Sequence, residues 1–158
     1  MDINIKNGKL LIGTEGYPNL NAVERIGGGA NGEVYLMHNP MLDRCEALKI
    51  FTKSGDVKGE EQAVNELRRT VKADEKYAIK VYAAHMFHGY TISCMEYFEG
   101  ETLCVHIADK DPLYICWILR RYLQAIEETS SINAFHGDAH AKNVLIKRSM
   151  GNLKIKPC

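Results

Sequence analysis

The stretch Ile26-Gly27-Gly28-Gly29-Ala30-Asn31-Gly32-Glu33-Val34 sets a glycine-rich loop between two apolar runs, Val23 to Ile26 and Val34 to Met37. Gly27, Gly29 and Gly32 each permit a close backbone approach or a positive φ, so amides there can face phosphate groups without side-chain obstruction. A dinucleotide-binding fingerprint needs a helix after the glycines, and here a strand is expected. A Walker A loop needs Gly-Lys-Ser/Thr, which Gly32-Glu33 does not supply. Two readings stand: a flexible glycine hairpin, or a phosphate-facing loop between two strands.

Working outward, Asn39-Pro40 marks a turn, and Cys45-Glu46-Ala47-Leu48-Lys49-Ile50-Phe51 reads as a third strand. Lys49 puts a charge inside an apolar run, where a buried ammonium is costly without a partner. A helix from about Glu60 to Val71, with Ala63, Leu67, Thr70 and Val71 as its buried side, offers Glu60, Glu61 or Glu66. A lysine held by a carboxylate can be fixed near nucleotide phosphates, with Val34 and Ala47 as an apolar lid over a base. The alternative is a lysine snorkelling at a strand edge.

Residues 2–14 alternate around Asn7-Gly8, a hairpin turn pair. Ile79 to Ala83 and Thr91 to Glu96 read as strands, with Phe87-His88-Gly89-Tyr90 turning between them. Beyond Gly100 the period changes. From Pro112 to about Thr129, Ile115, Leu119, Tyr122 and Ile126 recur at helix spacing, with Cys116 and Leu123 beside them. Val144 to Ile146 and Leu153 to Ile155 form a last hairpin around Met150-Gly151-Asn152. The expected fold is α+β: an antiparallel sheet with one embedded helix, then a helical segment and a short hairpin. The chain divides at the sequence level into a hairpin extension (1–20), a sheet-rich lobe (21–99) and a second lobe (100–158).

Ahead of that hairpin lies His136-Gly137-Asp138, with Asn143 five residues after the aspartate. An aspartate on a loop can orient a hydroxyl and accept its proton, and an asparagine carbonyl can hold Mg²⁺. An ordinary turn capped by Asp138 and Asn143 is the alternative. His136 and His140 lack the spacing of a closed zinc site, and Gly137 disfavours the helix that would align them.

Composition narrows the classes further. Twenty basic and twenty acidic residues in 158 give no net charge, so no basic stripe suggests nucleic-acid binding. No apolar window is long enough to span a membrane, and the first residues do not read as a secretory signal. Five cysteines without a Cys-x-x-Cys pair argue against a disulfide framework or a four-cysteine zinc site. They read as small buried hydrophobes in a reducing, cytoplasmic setting.

Taken in chain order, these motifs resemble the eukaryotic-type protein kinases, Ser/Thr protein kinase-like, over roughly residues 20–158. The resemblance implies a protein kinase-like fold, with ATP and Mg²⁺ as cofactors. The phosphoryl acceptor would be a protein Ser/Thr or a small-molecule hydroxyl. It implies that Gly27, Gly29, Gly32 and Val34 form the nucleotide loop, and that Ala47 and Lys49 match the Val-Ala-x-Lys strand. The lysine would touch the α- and β-phosphates. Glu66, sixteen residues before Tyr82, matches the ion-pair glutamate, with Glu61 as the fallback. Met95-Glu96-Tyr97 match the gatekeeper and hinge, whose backbone bonds the adenine. Asp138 and Asn143 match the catalytic base and the second metal ligand. Gly137 replaces a usual arginine and His140 a usual lysine. His-Gly-Asp-x-His is similar to the loop of small-molecule phosphotransferases.

One departure is larger. After the strand around Leu153 to Ile155 the family places Asp-Phe-Gly, whose aspartate holds the principal Mg²⁺; here stand Lys156 or Pro157, then Cys158. Loss of one well-placed electrostatic group costs on the order of 3 kcal/mol in catalysis. The expectation is a complete first lobe and a truncated helical second lobe, impaired as an enzyme on its own. A non-catalytic pseudokinase or interaction module is the alternative. A helix at 112–129 lacking neighbours would expose apolar surface, so a protein partner covering it is also expected.

Overall fold

Asn7 and Gly8 both take positive φ, 52° and 71°, the backbone that a tight two-residue hairpin requires. They join β1 (Ile3–Lys6) to β2 (Lys9–Ile12), and β3 (Glu15–Gly16) completes a small antiparallel sheet in the order β1-β2-β3. The structure is a computed structural model that describes residues 3–29, 31–52, 57–73, 78–131, 141–149 and 152–157. The chain divides into two units, Met1–Leu67 with Val81–Tyr97, and Arg68–Lys80 with Phe98–Cys158.

The first unit is built on a five-stranded antiparallel sheet. Its strands are β4 (Asn21–Gly29), β5 (Gly32–Asn39), β6 (Arg44–Phe51), β7 (Val81–Phe87) and β8 (Tyr90–Glu96), in the order β4-β5-β6-β8-β7. His88 and Gly89, both at positive φ, make the β7–β8 turn. Because side chains alternate across a strand, the sheet has two different faces. Tyr35, Met37, Leu48, Ile50, Ile92 and Cys94 lie on one face and pack with Leu10, Ile12, Tyr17, Leu20 and Ala22 in a single core. The small N-terminal sheet therefore seals that face. Main-chain bonds from Tyr17 to Leu10 (2.7 Å) and from Ala22 to Gly8 (2.8 Å) fix its path. The Tyr17 hydroxyl lies 3.0 Å from His85 Nε2 and 3.4 Å from Cys94 Sγ.

Helix α1 (Val57–Lys72) follows β6. Ala63 and Leu67 pack with Phe51 and Val81. Val71, expected on the buried side, is exposed. The strand expected from Ile79 begins at Val81, since Ala78 and Ile79 are buried without strand pairing.

In the second unit, β9 (Glu101–Thr102), β10 (Val144–Ser149) and β11 (Asn152–Pro157) form an antiparallel sheet in the order β11-β10-β9. With it lie α2 (Leu103–His106), α3 (Pro112–Ser131) and a 3₁₀ turn, Ala141–Asn143. The Asp111 carboxylate accepts from the Leu113 amide at 2.8 Å, and Pro112 occupies the first helical position. That pairing explains where α3 starts. Leu103, Ile118, Tyr122, Val144, Ile146 and Ile155 form the core of this unit. Of the expected row, Tyr122 is buried and Ile126 packs against this core, while Ile118 and Ala125 are buried in place of Leu119. One residue further on is about 100° around the axis, so Cys116, Leu119 and Leu123 are exposed. Cys45 is exposed too, against the expectation of buried cysteines; Cys94 is buried, and no disulfide joins the described cysteines.

Candidate functional site

The second face of the five-stranded sheet gathers most of the residues singled out by sequence. Cross-strand register places Gly27 opposite Val34, Val34 opposite Lys49, and Lys49 opposite Ser93. Ala47 lies opposite Leu36 and Met95. Opposed residues share a face, as do residues two apart on a strand. Gly27, Val34, Ala47, Lys49 and Met95 thus form one continuous patch, on the side away from the sealed core. Glu96 pairs with Glu46 at the end of β8, and Tyr97 follows it; Met95, Glu96 and Tyr97 are all half-buried.

Lys49 is held at the centre. Its Nζ donates to Glu66 Oε1 of α1 at 2.6 Å and lies 4.6 Å from the centre of the Phe51 ring. Both partners are partly screened from water, with side chains 19% and 31% exposed. Glu66, rather than the exposed Glu61, supplies the carboxylate. A short charge-assisted bond in this setting fixes the long lysine stem, yet leaves two ammonium hydrogens for an anion. Phe51 and Ser93 were not anticipated from sequence. Phe51 could have been, since it follows Lys49 by two residues on the same strand. Ser93 is fully buried, and its hydroxyl has no hydrogen-bond partner among the described residues.

Of the three loop glycines, only Gly32 is dictated by its surroundings. It has φ of +139°, and a Cβ there would collide with the main-chain oxygen of Ile50. A Cβ at Gly27 would make ordinary contact with Val34, and at Gly29 it would meet open space. These two leave room above the strand ends instead of being forced by the fold.

In the second unit, Asn143 ends the 3₁₀ turn, half-buried, directly before the buried Val144. Asp138, with His136, Gly137 and His140, lies outside the described residues. The register of the last hairpin sets Leu145 opposite Lys156 and Val144 opposite Pro157. Lys156 is only 6% exposed, its Nζ 5.7 Å from the centre of the Phe98 ring.

These residues fit the two cofactors unequally. The glycine-edged patch with its fixed ammonium suits a nucleotide phosphate group. Magnesium takes hard oxygen ligands, usually carboxylates. Among the described residues no cluster of three His, Cys, Asp or Glu side chains stands ready to hold a metal ion. Lys156 and Pro157, on the strand opposite Val144 and Leu145, supply no side-chain oxygen, so these two positions do not fit a principal Mg²⁺ ligand. Among the described residues no helix is long and apolar enough to cross a membrane.

A family profile described as "Protein kinase domain" matches residues 20–156. Serine/threonine-protein kinase PrkC of Bacillus subtilis is 29% identical over 137 residues, which cover 82% of this chain and 21% of that protein. The probable serine/threonine-protein kinase zyg-1 of Caenorhabditis elegans is 28% identical over 132 residues, covering 80% of this chain and 18% of that protein. Among solved structures, the PknI kinase domain of Mycobacterium tuberculosis superposes with a TM-score of 0.70 at 21% identity. That match covers 93% of this chain and 61% of the solved one. The chain thus spans about a fifth of the length of these curated relatives.

Proposed function

The chain belongs to the protein kinase domain family, and from that premise we propose that it binds ATP through Gly27, Gly29, Gly32, Val34, Ala47, Lys49 and the Met95–Tyr97 segment. Its fold is the α+β protein kinase-like fold. The observation that carries the reading is the Lys49–Glu66 bond of 2.6 Å on the open face of the sheet. Lys49 holds phosphate oxygens by charge. Glu66 keeps the ammonium from collapsing elsewhere. Main-chain amides at the loop face the phosphates, and the apolar surface of Val34 and Ala47 meets the base.

The activity proposed is transfer of the γ-phosphoryl of ATP to a hydroxyl, either a protein serine or threonine or a small molecule. ATP supplies the phosphoryl group. Asp138 orients the acceptor hydroxyl and takes its proton. Asn143 offers one oxygen donor, and no step is assigned to Mg²⁺. The name of each kinase relative supports the reaction class, and His-Gly-Asp-x-His keeps a metabolite acceptor in view.

A second reading is favoured by a specific observation. Lys156, buried on the strand opposite Leu145, stands where the kinase resemblance expects a metal-binding aspartate. A non-catalytic, nucleotide-binding pseudokinase is that reading. The exposed Leu119 and Leu123 on α3 further support a protein partner for this unit.

The deciding experiment measures γ-phosphoryl transfer from ATP, with and without Mg²⁺, in the full chain and in Lys49→Met and Asp138→Asn. Turnover that disappears in both variants supports the enzyme. Saturable ATP binding that weakens in Lys49→Met, with no turnover, supports the pseudokinase. Absence of ATP binding by calorimetry would defeat both readings.

A further inference from the structure

His106 is 6% exposed, and both of its ring nitrogens are engaged. Nδ1 lies 2.5 Å from Glu101 Oε1, and Nε2 lies 3.0 Å from the Tyr114 hydroxyl. An ionised carboxylate only accepts, so Nδ1 carries a hydrogen; in the neutral imidazole Nε2 then accepts from the phenol. One buried ring thereby ties together β9, through Glu101, the last residue of α2, and the first turn of α3, through Tyr114.

Two of these elements, α2 and β9, pack against the turn that carries Asn143, the 3₁₀ turn Ala141–Asn143. Glu101 pairs in register with Ile146, and Thr102 with Leu145, on the strand that leaves Asn143. Next to Glu101, Gly100 approaches β10 so closely that a Cβ would lie 2.6 Å from the Ile146 oxygen. A shift of β9 is therefore passed directly to β10.

We propose that His106 is a positioning residue: through Glu101 and Tyr114 it sets the place of the Ala141–Asn143 turn and of the strand following it. The functional part of this inference rests on the reading of Asn143 as a residue of the phosphotransfer site. Nothing in the sequence pattern marked His106. An imidazole fixed from both sides loses the rotamer freedom that would let the turn drift.

The test uses the full chain and site-resolved amide hydrogen exchange. In His106→Ala, exchange at the β10 amides is expected to rise about tenfold, the factor for one lost hydrogen bond to a charged group. Strands β5 and β6 should be unchanged. His106→Asn, which keeps a donor near the Nδ1 position, should recover most of the protection. In phosphoryl transfer His106→Ala should lower kcat about tenfold at unchanged KM for ATP. Glu101→Gln and Tyr114→Phe each perturb one bond and leave the ring in place, so they serve if His106→Ala does not fold. Each is expected to raise β10 exchange about threefold. β10 exchange within twofold of wild type in all these variants overturns the proposal, as does equal loss of protection in β5 and β6. Wild-type chain without turnover defeats the phosphotransfer reading instead, and the exchange results then judge the clamp alone.

Discussion

The two faces of the five-stranded sheet are cut from the same strands and are built for opposite ends. On one, Leu48, Ile50, Met37 and Ile92 are fully buried under the N-terminal sheet, and the buried carboxylate at their edge, Glu46, is held by Arg44 at 2.9 Å and Asn39 at 3.0 Å. On the other, Lys49 and Glu66 bring an ion pair to the middle of the sheet, and Ser93 buries a hydroxyl that finds no partner among the described residues. Apolar burial supplies stability, whereas polar groups held away from water cost it. One face pays for the other. The difference teaches that stability and binding should be separable by substitution, although adjacent residues of β6 serve each.

The widest separation should come from Leu10→Ala. Emptying a fully buried site in the sealed face is expected to cost about 3 kcal/mol of unfolding free energy, with ATP affinity of the folded protein unchanged. Denaturant unfolding alongside calorimetric titration checks both halves, and a loss of affinity would break the distinction between faces. Gly32→Ala comes next, because its φ and its collision with Ile50 tie the loop to the sheet. It should lose about 2 kcal/mol of stability and also weaken ATP binding. If only one property falls, the loop belongs to one face alone.

Lys49→Met should weaken ATP binding at least tenfold, about 1.4 kcal/mol, while unfolding free energy moves by less than about 1 kcal/mol. A large stability loss with intact affinity would make Lys49 a structural residue. Smallest is Ser93→Ala. Removing a buried hydroxyl that lacks a partner should leave stability unchanged or raise it by about 0.5 kcal/mol. Marked destabilisation in thermal melts would mean that the hydroxyl is satisfied in solution.

Much of this was legible in the sequence because it rests on local signals. Asn7-Gly8, the glycine loop, the apolar strand around Lys49 and the helix that starts at Pro112 each announce themselves within a few residues. They led to the protein kinase-like fold. Other features depend on partners far along the chain. The two-residue β3 has no period to detect, so the sealing role of residues 3–16 was invisible. Residues before 20 also lie outside the family match. On α3 the apolar residues nearly encircle the helix, so periodicity could not choose between the rows through Ile118 and Leu119. Glu101, His106 and Tyr114 share no spacing rule, since a β-strand, a short helix and a long one contribute one each. The pair Lys49 and Glu66 was found because a buried charge demands a partner, and the interval to the next strand pointed to the right carboxylate.

The contact between Tyr17 and Cys94 has a practical consequence. Burial pushes the Cys94 thiol above its ordinary pKa, only partly opposed by the Tyr17 hydrogen bond, and the thiolate is the form that reacts with alkylating reagents. Cys45 and Cys116 are exposed and should label within the mixing time of a slow experiment, whereas Cys94 waits for the N-terminal sheet to lift. The protein carries its own stopwatch: the rate at which Cys94 is alkylated counts the openings of the sealed face, with no introduced probe.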